Sequence, residues 1–339
     1  MKAAKVYGKK DLRLEEIEKP VITKPDDVLI RPKFVGICGS DVHLYHGANP
    51  LAILPRIPGH EIVGVVEDMG KDVKGLAVGD HVVIDPISFC GKCYACRHNM
   101  PNVCASLLVF GVQQDGGMRE YFTIQEKQVL KLDKSLPWEE AILIEPFTIG
   151  AQATYRGDVG IGDNLVIFGA GPIGIAALKL AKIKGASVMV TDLVDEKLEF
   201  AKKNGADIVV NTSKVKLDDA VAEWTKGEGA NKVIDAVCIP KTFEDSIRIA
   251  SVAATLVVLS FGDAPAQIAC LPITRKQLTI AGSRLQTYQF ANVIRLMESG
   301  ALRGNGLVTH KYKFGEIQKA LDFIDANPEK VKKALLEFF

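Results

Sequence analysis

Four cysteines, Cys90, Cys93, Cys96 and Cys104, follow the spacing C-x2-C-x2-C-x7-C. Four soft ligands leave no open position, which is the donor set of a structural tetrahedral zinc. An iron–sulfur cluster uses the same ligands, but its usual run brings the fourth Cys closer with Pro after it, whereas here Pro101 precedes Cys104. The bland alternative is four buried or reactive thiols. A second set is dispersed: Cys38, Ser40, Asp41 and His43 in Gly36-Ile-Cys-Gly-Ser-Asp-Val-His43, then His60 and Glu61 after Gly59, then Glu145 before Pro146. Each alone is ordinary, since a lone Cys is usually a small core residue and a lone Glu is usually solvated. Glu145, however, lies in the apolar stretch Ala141 to Phe147, where a buried carboxylate needs a partner. A metal would supply one.

A third constellation is a glycine fingerprint. Leu165-Val-Ile-Phe-Gly169-Ala-Gly171-Pro172-Ile173-Gly174 places G-x-G-x-x-G after a strand-like run and at the start of a helix reaching about Lys184. Gly169 permits the tight turn, Gly171 lets backbone amides approach a pyrophosphate, and Gly174 allows close helix–strand packing. Alone, such glycines are more often a structural turn. The next strand, however, ends in Asp192, about twenty residues on, where a carboxylate accepts hydrogen bonds from ribose hydroxyls. A 2′-phosphate there would meet repulsion of about 4 kcal/mol at ~4 Å and an effective dielectric near ~20. That is roughly a thousandfold. No Arg follows closely, so NAD is expected over NADP.

The elements that must position these groups fall into two textures. The first 150 or so residues hold short β-like runs punctuated by Gly, Pro and Asp, such as Val28 to Arg31, Ile62 to Glu67 and His81 to Ile84, and read as irregular all-β. From Asn164, apolar runs alternate with helical stretches: Leu165 to Phe168, Ser187 to Thr191, Ile208 to Val210, Val233 to Val237, Leu256 to Phe261 and Leu278 to Ala281. Six such strands predict an α/β domain with a doubly wound parallel sheet, helices covering both faces. After Ser283 the alternation weakens, although Tyr288 to Glu298 and Phe314 to Ile324 keep helical spacing, and this tail is free to return to the first domain.

With 339 residues, the chain exceeds what one core usually serves, and 47 % hydrophobic with 24 % charged residues is ordinary for a soluble globular enzyme. A net charge of +1 gives no basic footprint for nucleic acid, so small molecules are the expected partners. No apolar run approaches the ~20 residues of a membrane span. Met1 to Lys10 carries four lysines without an apolar stretch behind them and does not read as a secretion signal, which makes the cytoplasm the expected compartment. Seven cysteines are an odd set for disulfides.

In order along the chain, G-I-C-G-S-D, G-H-E, the four-cysteine lobe, Asp115-Gly-Gly-Met-Arg-Glu-Tyr121, Glu145-Pro146 and the glycine fingerprint resemble the zinc-containing medium-chain alcohol and polyol dehydrogenases. The resemblance implies a GroES-like, mainly-β catalytic domain over 1–151 and 285–339, and a Rossmann NAD-binding domain over 152–284. It implies two zincs per chain and NAD as cofactors. Cys38 and His60 would bind a catalytic zinc, Glu145 or Glu61 would complete the set, and an open position would remain. In the branch with a second thiolate ligand, position 145 would be Cys; Glu there is similar to the polyol and sugar-acid branch. Ser40 resembles the hydroxyl that takes the substrate proton, and His43 the shuttle that passes it to solvent, the alternative for His43 being a solvated loop residue. Asp41 would orient His60. Arg284, after the last sheet strand, would meet cofactor or substrate, or be merely structural. Family members form dimers and tetramers, so a homo-oligomer is implied by analogy.

The combination of Gly111 to Gly117, Leu143 to Thr148 and Gly282-Ser-Arg284 is most similar to the starvation-sensing and L-gulonate or L-galactonate 5-dehydrogenase branch. That implies oxidation of a sugar acid at C5, its carboxylate met by Arg284 or Arg119. Leu44 departs from the aromatic residue that follows the shuttle His in sorbitol dehydrogenases and argues against plain sorbitol. Polyol, sugar-phosphate and threonine dehydrogenases of the same family are the alternative. A zinc-free reductase would lack both ligand sets, and a non-catalytic nucleotide sensor would not need Cys38, Ser40, His60 and Glu145 together.

Overall fold

The computed structural model describes the chain except Ser260, Phe261 and Asp263. It divides into two compact units, Met1–Glu145 with Phe290–Phe339, and Pro146–Gln289. The first is built on a seven-stranded sheet. Its path runs Val308–Lys313, Lys333–Glu337, Asp27–Ile37, Glu61–Met69, His81–Ile84, Val129–Leu132, and Phe122–Gln125 also pairs with Asp27–Ile37. Pairing is antiparallel except between the two C-terminal strands. Asp27–Ile37 is central, so it is buried almost throughout, and Val28, Ile30, Val35, Ile62, Val82, Ile84, Phe122 and Leu336 are fully covered core. Its register with Glu61–Met69 shifts between Pro32 and Phe34, where the proline has no amide to give the ladder.

This half, read from sequence as irregular β, also carries short helices. Gly39–Tyr45 forms because Asp41, in its first turn, folds its carboxylate back onto the Cys38 amide at 2.9 Å.

The second unit is a six-stranded, wholly parallel sheet in the spatial order Ile208–Asn211, Ser187–Asp192, Asn164–Phe168, Ala230–Asp235, Ala250–Val258, Thr279–Gly282. The first strand in sequence lies at the centre beside the fourth, so the order reverses there, and ligands of doubly wound sheets bind at that reversal. Two runs end earlier than their apolar residues suggest. Ala230–Asp235 stops at Asp235, whose carboxylate accepts the Val237 and Cys238 amides and turns the chain. The run to Phe261 is strand as far as Val258; Ser260 and Phe261 lie outside the described residues. No helix among the described residues is long and apolar enough to cross a membrane.

Candidate metal centres and dinucleotide site

Cys38 caps the helix Gly39–Tyr45, and His60 and Glu61 lie at the start of the strand Glu61–Met69. One ligand atom from each of Cys38, His60 and Glu61 lies within 4.8 Å of the others. Asp41 ties these segments together: one oxygen accepts the Cys38 amide at 2.9 Å, the other accepts the Gly59 amide at 3.1 Å and faces His60 Nδ1 at 3.6 Å. That buried nitrogen has no hydrogen-bond partner among the described residues. Burial works against charge on His60, yet Asp41, with Cys38, outweighs it and holds the imidazole pKa well above the ordinary value. A buried imidazole drawn to hold positive charge between a carboxylate and a thiol fits a cation at this place.

Glu145 is buried at the start of the helix Ile144–Arg156. Burial pushes its carboxyl up to about 7, with His60 pulling it down and Glu61 pushing it further up. It therefore shares one electrostatic environment with the other three, although it is not in the 4.8 Å group. Ser40 is half-buried and His43 is exposed on the same helix.

One member of this centre was not legible in the sequence. Lys333 opens the strand Lys333–Glu337, is 4 % exposed, and donates to both Glu61 oxygens at 2.5 and 2.7 Å. The signal was a lysine, the second of the pair Lys332 and Lys333, leading into the apolar run Ala334 to Leu336, which by itself reads as a solvated strand end.

The four cysteines of the lobe do converge. Sulfurs of Cys93 and Cys96 are 3.5 Å apart, Cys93 and Cys104 3.8 Å, and Cys90 and Cys104 3.5 Å. All are free thiols. Zinc–sulfur bonds of ~2.3 Å in a tetrahedron put sulfurs ~3.8 Å apart, so the spacing fits that ion. Amides of Cys90, Cys93 and Ser106 donate to Cys104, Cys90 and Cys104 sulfurs, which favours thiolate. Amide donation, from Ala105 first, brings Cys93 down to about 6, while burial and neighbouring sulfurs push Cys96 up to about 12.

In the second unit, Gly169 has φ +92°, and a Cβ on Gly174 would stand 1.8 Å from the Gly169 carbonyl oxygen. A Cβ on Gly171 would meet nothing within 4 Å, so the backbone at the N-terminus of the helix Pro172–Ile183, Pro172 and Ile173 leading, is open to an anionic group. Asp192, at the end of Ser187–Asp192, accepts the amides of Ala170, Leu193 and Val194 at 2.9, 2.8 and 3.1 Å, joining the glycine turn to the second strand. Arg284 is half-buried just after Thr279–Gly282. Arg119 is engaged: its guanidinium lies 5.7 and 5.8 Å from the Phe110 and Phe122 ring centres and donates to the Asp115 carbonyl. Burial brings its pKa down to about 10.

Residues 24–134 match the alcohol dehydrogenase GroES-like domain and residues 172–299 the zinc-binding dehydrogenase family. The chain is 36 % identical over 340 residues to the starvation-sensing protein RspB of Escherichia coli K12, covering 100 % of this chain and 99 % of that protein. It is 32 % identical over 330 residues to the L-galactonate-5-dehydrogenase of the same organism, covering 97 % and 96 %. A crystal structure of RspB from E. coli CFT073 complexed with NADH superimposes with a TM-score of 0.95 at 36 % identity, covering 100 % and 99 %. With both family models matched in order along the chain, the chain belongs to the zinc-type alcohol dehydrogenases, oxidoreductases with a GroES-like domain and a Rossmann parallel sheet.

Proposed function

We propose that the protein oxidises the C5 hydroxyl of a hexonate, such as L-gulonate or L-galactonate, to the 5-keto acid with NAD, and reverses when NADH is abundant. The observation that carries this reading is the donor set around His60: one thiol, one imidazole and buried carboxylates, with Glu145 where a second thiolate would otherwise serve. Oxygen donors make a harder site, which suits a polyhydroxylated substrate that can offer two oxygens. The similarity to an L-galactonate-5-dehydrogenase over nearly the whole chain supports the substrate class.

Cys38, His60 and Glu145 or Glu61 would hold the catalytic zinc, and Cys90, Cys93, Cys96 and Cys104 the structural one. Bound at the first set, the ion supplies Lewis-acid polarisation of the alcohol oxygen. Ser40 takes the hydroxyl proton and exposed His43 hands it to solvent, while Asp41 keeps His60 in place. The glycine turn, Pro172, Ile173 and Asp192 bind NAD, Asp192 rejecting a 2′-phosphate. Arg284 or Arg119 is the cation proposed for the substrate carboxylate. We assign the catalytic role to 1–151 with 285–339 and coenzyme binding to 152–284, in a cytoplasmic homo-oligomer.

The test is a screen of hexonates, hexitols, their phosphates and threonine with NAD and NADP. Strong activity on threonine or a sugar phosphate, with none on any hexonate, would overturn the substrate. Comparable use of NADP, unrelaxed in Asp192→Ala, would overturn the cofactor preference. A nucleotide sensor, the reading favoured by the starvation-sensing name of one relative, would bind NADH and turn over none of the panel.

A further inference from the structure

We propose that NAD selection in the second unit is shared by two carboxylates: Asp192, and Asp195, which holds Lys214, a cation that a 2′-phosphate would otherwise engage. The inference rests on the NAD-site reading above. Two adjacent strand ends build the device. Asp192 closes Ser187–Asp192 and pairs with Asn211, which closes the edge strand Ile208–Asn211. Asn211 is buried, and its side chain joins the two loops that follow. Its Nδ2 donates to the Leu193 carbonyl at 3.1 Å and to Asp195 Oδ1 at 2.7 Å, while its Oδ1 accepts the Ser213 amide and hydroxyl at 3.0 and 2.6 Å. The Asn211 carbonyl accepts the amides of Lys214 and Val215, both at 3.0 Å, so the chain turns there. The Lys214 ammonium donates to Asp195 Oδ2. Lys214 first and Asn211 second hold the Asp195 carboxyl below its usual range. A cation therefore stands in the loop pair behind Asp192, although no Arg follows Asp192 closely in sequence.

Magnitudes divide the work between the two acids. Asp192 is fixed by the amides of Ala170, Leu193 and Val194, and its charge would repel a 2′-phosphate by roughly a thousandfold. The Asp195–Lys214 pair is weaker. Its side chains are 51 % and 62 % exposed, water screens them, and such a pair contributes about 5-fold or less. A phosphate carries more charge and more acceptor oxygens than a carboxylate, so it competes for an ammonium held this loosely. With Asp195 ionised, a 2′-phosphate must displace the carboxylate before Lys214 can meet it. With Asp195 neutral, Lys214 is available at once. Asp195 thus adds a second, smaller increment to the preference set by Asp192. It is a positioning residue, acting through Lys214.

Fluorescence titration of the full chain with NADH and NADPH tests this without turnover. The readout is the ratio of the two dissociation constants, so a general loss of affinity cancels. Both side chains are exposed, and neither substitution removes core contacts. Wild type should hold NADH more tightly than NADPH by about 100-fold or more. Asp195→Asn should tighten NADPH by about 5-fold with NADH within about 2-fold, and the gain should shrink as salt rises from ~0.05 to ~0.5 M. Asp195→Asn combined with Lys214→Met should lose the gain. An unchanged ratio in Asp195→Asn would overturn the proposal. So would a gain that survives Lys214→Met, because Asp195 would then act by repulsion alone. A wild-type ratio near one would instead overturn the NAD reading on which the proposal rests.

Discussion

Asp41 is the residue that turns two distant segments into one centre. Its two oxygens accept the Cys38 and Gly59 amides and one of them faces the His60 ring at 3.6 Å, so it fixes the backbone beside Cys38 and His60 and places a charge next to the imidazole. The proposed proton path depends on its neighbours. Ser40 is half-buried, two residues after Cys38, while His43, one turn on, is exposed and can exchange protons with bulk bases. Ser40→Ala should lower the hydride-transfer rate by roughly 10²- to 10⁴-fold, and His43→Ala by less, with partial recovery in small buffer bases. Single-turnover measurements across imidazole concentrations decide this; equal losses without recovery would remove the relay.

At the scale of elements, the helix Pro172–Ile183 is seated by one atom-sized gap. Gly174 lies against the Gly169 carbonyl, and that neighbour is backbone, which cannot swing aside as a side chain would. Gly174→Ala should therefore shift the helix start against the strand Asn164–Phe168 and weaken NADH binding by roughly 100-fold, as read by a fluorescence titration. Binding within about 2-fold of wild type would show that the turn is not where the pyrophosphate rests. The cysteine lobe is an element of another kind. Within it, only the short turns Tyr94–Arg97 and Pro101–Val103 and the two-residue strands Ile87–Ser88 and Leu108–Val109 are regular. So little structure needs a cross-link, and Cys93→Ser should cost one zinc per chain and lower Tm by roughly 10 °C, with metal analysis and calorimetry on the same sample as the check.

For the whole molecule, carboxylates held below their usual range link stability to pH. Glu126 accepts the Gly75 and Lys74 amides, Glu337 is bound by Lys313 and Lys33, and Asp80 by Lys131 with the Ala77 amide, each lowering the carboxyl pKa. A folded value below the unfolded one adds stability above the unfolded pKa, and the gain is lost as pH falls through the folded value. Tm should therefore drop between about pH 5 and pH 3. Glu126→Gln should flatten that drop slightly, since the group is exposed and screened; a steeper slope in the variant would contradict the assignment.

What the sequence alone determined is what depends on local spacing. Four cysteines within fifteen positions have few ways not to meet, a fingerprint between an apolar run and a helix specifies its own turn, and alternating strands and helices specify a parallel sheet. The ends of strands were less legible, because side chains such as Asp235 stop them through amides that no periodicity reveals. Tertiary structure decided the electrostatics of the dispersed centre. Glu61 and Lys333 are 272 positions apart, and only the pairing of three strands, with a glycine in the middle one, brings the carboxylate and its cation together in the core. Ligand types can be read from a sequence, but the charge that each buried ligand must share is set by whatever the fold packs against it.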